Sequence, residues 1–427
     1  MSSEVAIEAS NVYKVFGRRP AEAVRRLERG ESRDDVQRDG TAAVIDASFT
    51  VNRGEIFVVM GLSGSGKSTL IRMLNGLWEP TSGSIKIDGT NITGISPAKL
   101  RNVRKSSVSM VFQHFALLPH RTVLDNVAYG LEIQGVGREE RQDKALEIIG
   151  MVGLAGWEDH LPGQLSGGMQ QRVGLARALT ADTGILLMDE AFSALDPLIR
   201  REMQEELLHL QEKLGKTIVF ITHDLNEAMF LGDRIAVMRD GRVVQIDTPA
   251  NILTDPANDY VAQFVQDIDR SRVLTAGNAM DKARAIVKST VGIRGAVRTM
   301  RDLQTSAVMV TGRNGALLGS VHDRDALRAL KAGVTELDTV LRQDVTTVEI
   351  DAPLADVLLP SVESLLPLAV VDADGRVKGV LPRVTLLAAL ANHESTTGEL
   401  PVVEPASTVS TETFTESLNL ISAEGSN

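Results

Sequence analysis

The stretch Gly61-Leu62-Ser63-Gly64-Ser65-Gly66-Lys67-Ser68-Thr69 constrains this chain more than any other. Its glycines let consecutive backbone N–H groups turn inward around an anion, and a helix starting at Lys67 adds the positive end of its dipole. The apolar run over residues 55–60 reads as the preceding strand, so the motif has the strand–loop–helix setting that a phosphate-binding loop needs. Lys67 then reaches the β- and γ-phosphates of a nucleotide, and the Ser68 hydroxyl ligates Mg²⁺. The following residues alternate β-branched runs with helical patterns, as an α/β domain with a mainly parallel sheet does. Strands are expected at 107–112, 184–188, 216–221 and 234–238, and helices from Lys67, Arg138, Gly168, Leu198 and Leu225.

Ile185-Leu-Leu-Met-Asp189-Glu190 reads as a buried strand ending in two carboxylates. Asp189 is suited to the Mg²⁺ shell, and Glu190 to polarising an attacking water. Ahead of this strand stands Leu165-Ser166-Gly167-Gly168-Met169-Gln170, and after it Ser193-Ala-Leu-Asp196 and Ile221-Thr-His223-Asp; Gln113 closes the strand Met110-Val-Phe-Gln. With the phosphate loop, this ordered set over residues 1 to about 265 resembles the ATP-binding cassette ATPases.

The resemblance implies an α/β P-loop cassette with a helical subdomain, acting as a homodimer that sandwiches two ATP molecules. Residues 165–170 of one chain would cap the γ-phosphate held by Lys67 of the other. Glu190 would be the general base, His223 would contact the γ-phosphate, and Gln113 would ligate Mg²⁺ beside Ser68 and Asp189. Asp196 would couple the two subunits. Phe16 falls where the family stacks an aromatic ring on adenine, with Tyr13 as the competing candidate.

A lone cassette without a membrane segment also implies a separate permease, and an extracytoplasmic substrate-binding component with it. The wording of 60–66, 121–126, 188–200 and 256–260, and the insertion at 18–43, resemble the ATPase subunits of glycine betaine, proline betaine and choline importers. The expected function is thus an Mg²⁺-dependent ATPase powering uptake of compatible solutes from the cytoplasmic face of the membrane. An importer of an amino acid or polyamine, or a nucleotide sensor that transports nothing, are the alternatives.

Residues 283–390 repeat a pattern of two strands, a glycine turn and a helix, with helices expected from Asp325 and Thr385. They resemble a tandem pair of cystathionine-β-synthase-type domains of α+β type, with boundaries at 277–333 and 334–393, following a cassette of residues 1–269. The first repeat offers Gly319, His322 and Asp325 for an adenosine ribose and the second Gly379, Pro382 and Thr385; both lack the usual hydroxyl residue, which argues against nucleotide binding. The tail from 394 to 427 holds six Glu and no Lys or Arg, and its composition is that of a disordered segment.

Charge and cysteine content narrow the classes further. The 56 Asp and Glu against 45 Lys and Arg argue against nucleic acid as a partner, and the lack of cysteine excludes disulfides and thiolate metal sites. The charge is uneven: residues 270–331 carry twelve basic and four acidic groups, whereas 332–393 carry four and nine. Such a basic face suits anionic lipid and would be released as salt shortens the Debye length from about 10 Å at 0.1 M to about 3 Å at 1 M. A merely solvated surface is the alternative. The arginine-rich insertion reads either as a solvated excursion, with Pro20 opening a short helix, or as a basic docking element. His114, His120, His160, His209, His322 and His393 show no metal-like clustering and are expected to pack or lie on the surface.

Overall fold

The strand Ile56–Met60 is buried at all five positions because it runs between two parallel neighbours, Thr217–Thr222 and Arg234–Arg239. A near-continuous apolar strand of this kind belongs inside a sheet covered on both faces. In the computed structural model, which describes residues 4–113, 116–193, 195–282, 285–343, 345–364 and 366–391, it lies within a six-stranded sheet. The order is Arg242–Asp247, Arg234–Arg239, Ile56–Met60, Thr217–Thr222, Ile185–Asp189, Val108–Val111, all parallel except the first pair.

One face of this sheet packs on an antiparallel sheet made by Gly40–Asn52, Val5–Gly17, Ser82–Ile87 and Thr90–Asn91. Phe49 and Phe57 stack across the join with centroids 5.3 Å apart. The other face packs on the helical subdomain, where Val123–Gln134, Arg138–Met151 and Gly167–Thr180 contact one another. The helices begin where side-chain caps allow. Ser166 accepts from Met169 N and Asp196 from Ile199 N, so two helices start at Gly167 and Pro197, one residue before the expected Gly168 and Leu198.

The insertion is folded. Pro20–Glu28 is a helix whose Ala23, Val24 and Leu27 join Val36 over Tyr13, Val15, Ala42 and Ile45. Arg26 braces it through Glu31 at 2.6 Å, Asp39 at 2.7 Å and the carbonyl of Asp35 at 3.2 Å. The expected short helix from Pro20 forms, and the insertion is only partly solvated, because half of its small core comes from the flanking strands.

Beyond the cassette, a three-stranded sheet (Ile286–Lys288, Ala307–Thr311, Leu317–His322) and a four-stranded sheet (Asp281–Lys282, Val377–Leu381, Leu368–Val371, Thr347–Glu349) each contain one parallel pair extended by an antiparallel hairpin. The helices after the hairpins start at Asp323 and Arg383. Met309, Ala369 and Val380 pack together between the two sheets. At the end of the cassette, Arg270–Val273 is a short helix touching Leu225–Leu231 and Pro249–Thr254 on one side and Leu354–Glu363 and Arg383–Leu390 on the other. The backbone then bonds to the second repeat, with Ala276 N donating to Ala352 O at 2.8 Å and Leu354 N to Leu274 O at 2.9 Å. His114, His393 and the acidic tail lie outside the described residues.

Candidate functional site

The site forms at the carboxyl ends of four adjacent parallel strands, the position where open α/β sheets bind ligands. Ile56–Met60 delivers the phosphate loop. A Cβ on Gly61 would stand 2.2 Å from Met238 O and one on Gly66 2.1 Å from Ala43 O, both at positive φ, so no other residue fits either place. Gly66 caps the helix Lys67–Leu74. Lys67 is 4% exposed and donates to the carbonyls of Gly61 at 2.7 Å and Leu62 at 3.2 Å. Burial pushes its ammonium pKa down, opposed by the charges of Glu190 and Asp189. Within the loop Leu62, Ser63 and Gly64 are exposed, Ser65 is buried and Thr69 is half-buried.

The neighbouring strands bring the carboxylates. Ser68 Oγ donates to Asp189 Oδ1 at 3.2 Å, tying the phosphate loop to the end of Ile185–Asp189. Burial pushes the Asp189 carboxyl up, while the Ser68 hydrogen bond and Arg72, 3.8 Å away, hold it down. Glu190 has a left-handed backbone, φ 47°, stabilised by its N–H donating to Ile221 O at 3.1 Å. Its carboxylate meets two further residues: His223 Nδ1 lies 3.3 Å from Oε2, and Gln113 Nε2 donates to the same oxygen at 3.5 Å. Lys67, Ser68, Asp189, Glu190, Gln113 and His223 thus converge, although the sequence spreads them over more than 150 positions. The oxygen donors Ser68 Oγ and Asp189 Oδ1, with the amide of Gln113 nearby, are the hard-ligand set that Mg²⁺ prefers.

Residues 165–170 lie apart from this cluster. Gln170 Nε2 donates to Pro162 O at 3.0 Å and Leu165 O at 3.3 Å, and a Cβ on Gly168 would meet Ile199 at 2.9 Å. Leu165 is buried, while Ser166 and Gly167 are exposed. Among the described residues, no hydrogen bond or ion pair joins 165–170 to the phosphate loop or to Glu190 of the same chain. Asp196 caps the adjacent helix Pro197–Leu214.

A family model described as ABC transporter matches residues 44–193. The chain is 50% identical over 390 residues to the glycine betaine/carnitine transport ATP-binding protein GbuA of Listeria monocytogenes, covering 91% of this chain and 98% of that protein. The chain belongs to the ABC transporter ATP-binding proteins. It is also 51% identical to the glycine betaine transport ATP-binding protein OpuAA of Bacillus subtilis, over 91% of this chain and 93% of that one. Against the glycine betaine/proline betaine transport system ATP-binding protein ProV of Escherichia coli the identity is 46%, over 90% and 98% of the two chains.

Strand alternation separates the two aromatic candidates. Along Val5–Gly17, Tyr13 and Val15 point into the insertion core, leaving Tyr13 6% exposed, whereas Phe16 is 38% exposed with its ring edge-on to Trp78 at 5.0 Å. Two cassette residues escaped the sequence reading. Arg72 stacks over Trp78 at 5.0 Å and faces Asp189; its place four residues after Ser68, on one face of the helix, was the available signal. Trp78 carried none. His160 packs on Trp157 with centroids 4.7 Å apart, and among the described residues no cluster of three metal-binding side chains occurs.

Proposed function

We propose that this cassette hydrolyses ATP, with Mg²⁺, to drive import of quaternary-amine osmolytes through a separate permease. The observation that carries the reading is the convergence of Lys67, Asp189, Glu190, Gln113 and His223 beside the phosphate loop. The relatives' names supply the substrate class: glycine betaine, carnitine and proline betaine. Lys67 and the backbone N–H groups of the loop hold the β- and γ-phosphates, and Phe16 stacks on the adenine. Ser68, Asp189 and Gln113 hold Mg²⁺, which neutralises phosphate charge when bound. Glu190 accepts a proton from the attacking water, and His223 fixes that carboxylate and faces the γ-phosphate.

Two chains pair head to tail, so that residues 165–170 of one complete the site of the other. Ser166, Gly167 and Gly168 begin the helix Gly167–Thr180, whose N-terminus is suited to a multiply charged anion. Asp196, at the start of the next helix, couples the subunits. The cassette sits at the cytoplasmic membrane face, served by a substrate-binding component outside. No helix among the described residues is long and apolar enough to cross a membrane.

The two C-terminal repeats act as a cystathionine-β-synthase-type regulatory pair. Supporting an electrostatic role, the contacting helices Gly292–Asp302 and Asp323–Lys331 expose Arg294, Arg298, Arg301, Arg324, Arg328 and Lys331. In this reading anionic lipid holds that face and salt releases it. A nucleotide is less well served, since Asp325 is ion-paired to Arg342 and Thr385 donates to Asp281 at 3.2 Å.

Uptake of a labelled panel of betaines, carnitine, choline, amino acids and polyamines by the assembled transporter tests the function. ATP-dependent accumulation of quaternary amines, lost in Lys67→Ala, is expected. Uptake confined to an amino acid or polyamine would refute the substrate class.

A further inference from the structure

The insertion ends beside the phosphate loop. Its helix Pro20–Glu28 and the Arg26 brace fix the following turn, which is closed by reciprocal bonds: Ser32 N and Oγ donate to Asp35 Oδ2 at 2.9 and 2.6 Å, and Asp35 N donates to Ser32 Oγ at 3.2 Å. Val36 anchors the same turn in the core below. Between Ser32 and Asp35 the chain presents Arg33, whose Nη2 donates to the carbonyl of Gly64 at 3.5 Å and whose Nη1 lies 3.6 Å from Asp240 Oδ1. Gly64 belongs to the phosphate loop and Asp240 to the turn between Arg234–Arg239 and Arg242–Asp247.

That turn is itself bound to the loop and to the root of the insertion. Gly241 N donates to Ser65 O at 3.1 Å, and Ile45 N donates to Gly241 O at 2.8 Å. The guanidinium is therefore the one insertion side chain that bridges the phosphate loop and the hairpin turn through described contacts. A cleft of about 490 Å³ opens beside it, lined by Arg33, Asp34, Gln37, Thr41 and Arg242 among others.

We propose that Arg33 is a positioning residue for the nucleotide site. It fixes the Gly64 peptide against Asp240, so that the insertion sets how firmly the phosphate loop grips ATP. A planar guanidinium can serve a carbonyl and a carboxylate at once, which a lysine ammonium does less well. Its charge also lies beside a loop whose ligand is an anion, so that removing it weakens binding without touching the groups that move protons. This inference rests on the ATPase reading above.

The test is ATP hydrolysis by the assembled full-length transporter carrying Arg33→Ala, Arg33→Lys or Asp34→Ala, with thermal melting of each. Arg33→Ala is expected to raise KM for ATP by about three- to tenfold, the range of one ordinary hydrogen bond, with kcat within about twofold and the melting temperature unchanged. Arg33→Lys should recover part of the loss by restoring charge, and Asp34→Ala, exposed on the same turn, should behave as wild type. A KM within about twofold of wild type for Arg33→Ala, or an equal rise with Asp34→Ala, overturns the proposal. Absence of hydrolysis in the wild-type transporter, or hydrolysis that survives Lys67→Ala, would instead defeat the ATPase reading.

Discussion

Replacing Glu190 by glutamine isolates the chemical step. The amide is isosteric with the carboxylate, so it retains the reach to His223 at 3.3 Å and Gln113 at 3.5 Å while losing the ability to accept a proton. Asp189 cannot take over that role, because it is 4% exposed and engaged by Ser68. A positioned general base contributes about 10²- to 10⁴-fold, which at about 1.4 kcal/mol per decade is roughly 3–5 kcal/mol of barrier. Steady-state ATP turnover by the assembled transporter should fall by that factor, with nucleotide binding retained and the cassette dimer persisting in ATP. The backbone provides a second check. Glu190 holds φ at 47°, a conformation that costs a non-glycine residue about 1–2 kcal/mol. Glu190→Gly should therefore lose turnover as fully as the glutamine variant without lowering the melting temperature, a combination expected of a residue kept for chemistry at the expense of stability. Turnover of Glu190→Gln within about tenfold of wild type would refute the assignment, since no general base contributes so little.

Phe16→Ala should raise KM for ATP by about two- to tenfold, the worth of one stacked ring, while Tyr13→Phe leaves it unchanged because Tyr13 faces the insertion core; ATP titration of turnover decides between them. Burial raises the pKa of the Glu227 carboxyl, against weaker hydrogen bonds from Thr222 and Gln204. The folded state thus holds this proton more tightly than the unfolded chain, and the associated stability is present below about pH 4.3 and lost as pH rises through the raised value. Glu227→Gln should flatten that loss and melt no lower than wild type at about pH 8, as a series of melting curves across pH would reveal. Leu274→Ala, at a 2% exposed position shared by the cassette core and the second repeat, should destabilise by about 2–5 kcal/mol and speed proteolysis near 265–280, with KM for ATP unaltered.

What could be read in advance, and what could not, follows from the range of the forces involved. The strand ends at 56–60, 185–189 and 217–222 were legible to within a residue because each buried strand is a nearly continuous apolar run, followed respectively by the first glycine of the phosphate loop, by Glu190 and by His223. The helix starts at Gly167 and Pro197 were missed by one residue only because the capping role of Ser166 and Asp196 was not used. Which of Tyr13 and Phe16 is exposed could not be read while the face of Val5–Gly17 was unknown. That face is set by the insertion, whose four apolar side chains are too few to announce a core until Tyr13, Val15, Ala42 and Ile45 are placed beneath them. The polar stretch near 267–272 shows the same effect, since its surface charges conceal Ile268 and Leu274, which continue the cassette core into the second repeat. Both cases have one physical origin: local polarity reports how much of a segment meets water, whereas its neighbours decide what the remaining apolar side chains bury against. Arg33 illustrates the consequence, because a charged residue on a polar turn acquires a role only when the few apolar contacts below it carry that turn to the phosphate loop.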